Sequence, residues 1–78
     1  MDVDRSIAEQ HLALAEEHVA LGEQLIAEQR ERIAAMSVLG QDVTEAMRLL
    51  DNFLDSQKMH LEHRDRLRRD LDVPGADV

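Results

Sequence analysis

The chain reads as an all-α protein: an antiparallel, coiled-coil-like hairpin of two long helices that dimerises into a four-helix bundle. Three observations predict this. Leu, Ala, Glu, Gln and Arg dominate, all strong helix formers, and the 78 residues hold three glycines and one proline. Apolar residues, 44% of the chain, recur at heptad spacing through two stretches, which argues against disorder despite the high charge. Between those stretches lies one short interruption, at Gly40.

The elements follow in order. Residues 1–5 are an N-terminal tail. Ser6-Ile7-Ala8-Glu9 has the form of a capping box, with the Ser6 hydroxyl and the Glu9 carboxylate each covering the other's amide. Helix 1 then runs from about 7 to 39, with Gly22 its only weak point. Gly40 suits a left-handed C-terminal cap, and residues 40–42 make the turn. Asp42-Val43-Thr44-Glu45 is a second capping box, opening helix 2 over about 43–71. Pro74-Gly75 stops it, and residues 72–78 form a C-terminal tail. Two helices of this size are about 45–50 Å long at 1.5 Å per residue. So short a linker forces them antiparallel.

One heptad register serves both helices. In helix 1 the seam columns are Leu12, Val19, Ile26, Ile33 and Ala8, Ala15, Gly22, Gln29, Met36. In helix 2 they are Val43, Leu50, Gln57, Arg64, Leu71 and Ala46, Phe53, His60, Leu67. Counting outward from Gly40 sets Ile33 against Leu50, Gln29 against Phe53, Ile26 against Gln57, Val19 against Arg64 and Leu12 against Leu71. Gln29, Gln57, His60 and Arg64 stand among the seam residues as a polar core layer, of the kind that fixes register at a cost in stability.

That seam leaves Leu14, Leu21, Met47, Leu54 and Leu61 over. A lone hairpin of this length has little core, and the chain has no cysteine to staple it. These five residues are therefore expected to be the contact set of a homodimer.

Seventeen acidic residues against nine basic ones give a net charge of −8, the wrong sign for a free-standing nucleic-acid binder. Residues 9–31 hold six acids and one base, and residues 58–69 five bases and two acids. An antiparallel hairpin sets these segments side by side, Glu16 near Arg68 for example. Further pairs are expected within the helices, at Glu28–Arg32, Glu62–Arg66 and Asp65–Arg69. No apolar run approaches the ~18–20 residues of a membrane span, and the acidic start lacks a signal-peptide pattern. A cytoplasmic protein is expected.

The four histidines are the candidates for chemistry. Register places His18 level with His63, and His60 level with Gly22, which leaves room for an imidazole. His18, His60 and His63 are thus a candidate site for a divalent transition metal, with haem a weaker variant. The expected reading is a structural role in the polar layer with no cofactor, and the metal site is its alternative. The di-iron Glu-x-x-His pattern is absent, because Gln57 stands three before His60. His63-Arg64-Asp65 is a chance match to a kinase catalytic loop, since the chain lacks the Gly-rich loop and the length. No catalytic residues are assigned, and the chain is not expected to be an enzyme.

The ordered set His18-x-x-x-Gly22-Glu23, Gln29-Arg30, Ile33, Gly40-x-Asp42, Ala46, Leu49-Leu50, Phe53, His60-x-x-His63-Arg64-Asp65-x-Leu67 resembles a group of very short bacterial proteins, similar over residues 7–71. The resemblance implies a soluble bacterial helical hairpin. It transfers no activity, substrate or site.

The expected function is therefore that of an acidic, self-associating protein–protein interaction or regulatory module. Two other readings stand beside it. One is a histidine-based metal-binding bundle. The other is an acidic inhibitor or antitoxin-like protein that masks a basic partner.

Overall fold

Nothing in the sequence opposes a helix until the Leu39-Gly40 step, and one long helix results. A computed structural model describes residues 3–72. It comprises α1 (Val3–Val38) and α2 (Thr44–Asp72), with no strand among the described residues. The helices pack along each other as an all-α antiparallel hairpin measuring 61 × 17 × 14 Å.

The ends of α1 and α2 support each other. Residues 3–5, expected in a tail, are helical, so Ser6 lies inside α1 and does not cap it. Asp4 supplies negative charge to the first turn, where the helix dipole favours it. Arg5 sits 3.6 Å from Glu9 and its Nη1 donates to the Leu71 carbonyl at 3.3 Å. The second contact covers one of the last carbonyls of α2, which lack partners within their own helix. Asp72, also expected in a tail, is the last residue of α2. Residues 1–2 and 73–78, with the Pro74-Gly75 stop, lie outside the described residues.

The turn is built from two local motifs. Gly40 has φ +72°, the left-handed conformation that glycine adopts without strain. The Gln41 amide donates to Met36 O at 2.9 Å and the Gly40 amide to Ser37 O at 3.0 Å. These two bonds are the Schellman pattern, and they close α1 as expected. At the start of α2 the Asp42 carboxylate accepts from the Thr44 amide at 2.9 Å and its hydroxyl at 2.7 Å. Both bonds hold the Asp42 carboxyl below its ordinary pKa, the hydroxyl bond first. The reciprocal half of the expected capping box is not made. Glu45 instead pairs with Arg48 at 2.7 Å, a charged partner one turn along that outcompetes a neutral amide.

The seam is thin. Among the described residues only Ala15, Val19, Gln29 and Gln57 are buried. Most other seam residues, including Leu12, Ile26, Ile33, Leu50, Phe53 and Leu67, are half-buried. Two helices can cover each other along one stripe only, so the rest of each cylinder faces outward.

The two buried glutamines do not join His60 and Arg64 in one layer. They form two separate ties across the seam. Gln29 Nε2 on α1 donates to Ala46 O on α2 at 2.8 Å, and Gln57 Nε2 on α2 donates to Val19 O on α1 at 2.9 Å. The ties run in opposite directions, about ten residues apart along the rod. Gln29 Oε1 also accepts from Arg32 at 3.2 Å, and Arg32 therefore serves Gln29 where a pair with Glu28 was expected. Gln57 Oε1 is buried with no hydrogen-bond partner and lies against Gly22. Gly22 thus makes room for a glutamine carboxamide, not for the expected imidazole, and Gln57 packs one turn away from the expected Ile26. Arg64 pairs with its neighbour Asp65 at 2.8 Å. Asp65 is thereby engaged by Arg64, where a pair with Arg69 was expected.

Candidate interaction surface and histidine pair

Which apolar residues share a side follows from helix geometry and two cross-seam contacts. Residues two apart on an α-helix stand about 200° apart around its axis. Glu16 and His18 are two apart on α1. Each meets α2: Glu16 pairs with Arg68 at 2.9 Å, and the His18 and His60 rings lie 5.5 Å apart, tilted by 48°. These contacts must therefore sit on opposite sides of the seam.

On the histidine side a cleft of about 200 Å³ opens, lined by His18, Leu21, Gly22, Leu25, Phe53, Ser56, Gln57 and His60. Heptad repeats extend this flank along the rod. Ile7 and Leu14 share the column of Leu21, and Leu49 shares that of Ser56. Met59 is one turn on from Ser56. Six large apolar residues of the flank (Ile7, Leu14, Leu21, Leu25, Leu49 and Met59) are exposed, Leu21 by 56% and Met59 by 68%, and Phe53 is half-buried.

The opposite flank has another character. Met47, Leu54 and Leu61 repeat every seven residues in the column that ends at Arg68. Met47 and Leu54 are exposed and Leu61 is half-buried. The matching column on α1 is Glu9, Glu16, Glu23 and Arg30, again seven apart and all exposed; heptad steps from the Glu16–Arg68 pair set Glu23 beside Leu61 and Arg30 beside Leu54. The Glu16–Arg68 pair expected from charge segregation forms on this flank.

The five residues expected to make one contact set are thus divided: Leu14 and Leu21 on the cleft flank, Met47, Leu54 and Leu61 on the acidic flank. One flat face cannot use both groups. Leu25, Leu49, Met59, Phe53 and Ser56 belong to the cleft flank and were not among the expected dimer contacts. A signal was present for Leu25, which stands seven after His18, but a column of His11, His18 and Leu25 does not read as apolar.

The histidines also regroup. His18 meets His60, while His63, exposed, continues the Leu49–Ser56 column one heptad on, outside the pair. His60 is half-buried and His18 exposed. Among the described residues, no cluster of three or more His, Asp or Glu side chains is placed to hold a metal ion within one chain. No described helix is long and apolar enough to cross a membrane. No family model matches the chain, and no curated protein or solved structure is significantly similar to it.

Proposed function

We propose that this chain is a non-catalytic, self-associating interaction module, in which two hairpins join through their cleft flanks as a four-helix bundle. The observation that supports it is the imbalance between core and surface. Among the described residues two apolar ones, Ala15 and Val19, are buried, while six large ones stand exposed along one flank. The six are 39–68% exposed, so covering them adds about half of the ~1.5–3 kcal/mol that full burial of each such side chain is worth. A face of 61 × 17 Å offers about 1,000 Å² per protomer, above the ~800 Å² per partner of a standard stable interface.

The dimer leaves the acidic flank outward. Its exposed Met47 and Leu54, with Glu9, Glu16 and Glu23 toward the other end of the same flank, suit a basic amphipathic helix: apolar contacts give affinity and the carboxylates steer approach. A regulatory role follows, in which the dimer presents two such flanks to basic partners.

The test is the mass of the untagged chain in solution, by light scattering after size exclusion, at several concentrations. The wild type is expected as a dimer. Leu21→Glu with Leu25→Glu is expected to abolish it, and Leu54→Glu with Leu61→Glu to leave it. A wild-type monomer at every concentration overturns the reading. Loss of the dimer only in the second variant moves the interface to the acidic flank.

A further inference from the structure

We infer that the His18–His60 pair is half of a transition-metal site, completed by the same pair of a second copy across the cleft flank. This rests on the dimer proposed above and adds a ligand to it.

The spacing of the two rings suits chelation. A metal–imidazole bond is about 2.0–2.1 Å, which sets each ring centre about 3.2 Å from the ion. Ring centres 5.5 Å apart then subtend about 120° at the metal, close to tetrahedral. One chain supplies two ligands and stops there, since among its described residues no third His, Asp or Glu joins the cluster. Four ligands therefore require two chains.

Position along the rod makes that meeting possible. The midpoint of Val3–Val38 falls between Ala20 and Leu21, and that of Thr44–Asp72 at Lys58. The cleft, at residues 18–25 and 53–60, lies at mid-length. A two-fold dimer can set its loops at the same end or at opposite ends. With loops at the same end every level faces its own copy. With loops at opposite ends and full overlap, only the middle does. Both arrangements bring the two histidine pairs together.

The surroundings suit the chemistry. Leu21, Leu25 and Phe53 line the cleft and would exclude water once covered. An all-imidazole set selects Zn²⁺, Ni²⁺, Cu²⁺ or Co²⁺ over the hard cations, which prefer oxygen ligands.

The experiment is native mass spectrometry of untagged, chelator-stripped protein with added Zn²⁺, followed by Co²⁺ substitution read by visible absorption. Expected are one metal per dimer and the intense bands of tetrahedral Co²⁺. His18→Ala, at an exposed position where folding is not at stake, and His60→Ala should both abolish uptake at equimolar metal. His63→Ala should retain it. A wild-type dimer that takes up no metal overturns the site, leaves the dimer standing and returns the rings to ordinary aromatic packing. One metal per monomer, or uptake that survives His18→Ala, overturns the shared site. A chain that is monomeric with and without Zn²⁺ overturns the dimer and, with it, this site.

Discussion

The two flanks of this hairpin are built from the same helices and carry opposite kinds of surface. The cleft flank gathers six exposed apolar residues around a concavity and a pair of imidazoles. The other carries the Met47, Leu54, Leu61 column on α2, the exposed Glu9, Glu16 and Glu23 on α1, and the Glu16–Arg68 pair that joins them. Neither flank is visible in either helix alone. Each α1 column acquires its meaning from the α2 column that antiparallel pairing sets beside it. The comparison teaches that a two-helix rod is a sheet-like object with two faces, and that those faces can be specialised separately.

Breaking the cleft flank should have the largest effect. Placing glutamates at Leu21 and Leu25 should remove the proposed dimer and leave a hairpin whose buried apolar residues, among those described, are Ala15 and Val19. Circular dichroism at micromolar concentration should then show most of the helical signal lost at 25 °C. The same charge load at Leu54 and Leu61 should leave the signal within a few per cent of wild type. Equal loss in both variants would mean that the flanks are energetically equivalent, and the distinction between them would fall.

The second effect lies where the cleft meets the seam. An added Cβ at Gly22 would run into Gln57 Oε1, so Gly22→Ala must displace a buried carboxamide and its bond to Val19 O. In a helix interior the same change is ordinarily favourable by about 1 kcal/mol. Gly22→Ala alone is therefore expected to be no more stable than wild type. In a Gln57→Ala background it should gain about 1 kcal/mol. Chemical denaturation of the four proteins gives the coupling directly. Additive values would show that Gly22 is not there for Gln57.

Much of this architecture is legible in the sequence, and the reasons for the rest are specific. Helix type, the hairpin, the Gly40 cap and the Glu16–Arg68 pair all follow from local rules or from charge summed along a segment. The side chains that were misplaced are those settled by competition. Asp42 and Glu45 carry a capping-box pattern, yet Arg48 takes Glu45. Ser6 carries another, yet α1 begins before it and Arg5 reaches Leu71. Gln57 and His60 are three residues apart and both border Gly22. Spacing cannot say which fills the space. The histidine site suffered most, because a shift of less than one turn exchanges His63 for His60 as the partner of His18.

A pH series separates turn chemistry from both flanks. Asp42 is exposed and its carboxyl pKa is lowered by the Thr44 hydroxyl and amide. A group depressed on folding stabilises above its unfolded pKa and loses that contribution as pH falls through the folded one. Asp42→Ala should therefore lower the thermal midpoint at pH 7. The gap to wild type should narrow as the pH falls below the ordinary carboxylate range. Because the turn lies on neither flank, the dimer mass should not change at pH 7. A gap that persists unchanged at pH 2 would mean that the hydrogen bonds do not depend on the charge.

The smallest effect is expected at the Glu16–Arg68 pair, the best-defined contact of the acidic flank. Its geometry is good, at 2.9 Å, but both side chains are nearly half exposed, 46% and 48%. Pairs of this kind are worth about 0.2–1 kcal/mol, because water screens the attraction and two long side chains lose freedom. A double-mutant cycle of Glu16→Ala and Arg68→Ala should return a coupling in that range. It should fade at 1 M salt, where the screening length is about 3 Å. By contrast, the penalty for glutamates at Leu21 and Leu25 should soften only in part at high salt, because it includes lost apolar contact as well as charge. A coupling above ~2 kcal/mol at Glu16–Arg68, well beyond the range of exposed pairs, would mean that water is excluded from the acidic flank. The second copy would then sit there, and the two faces would exchange roles.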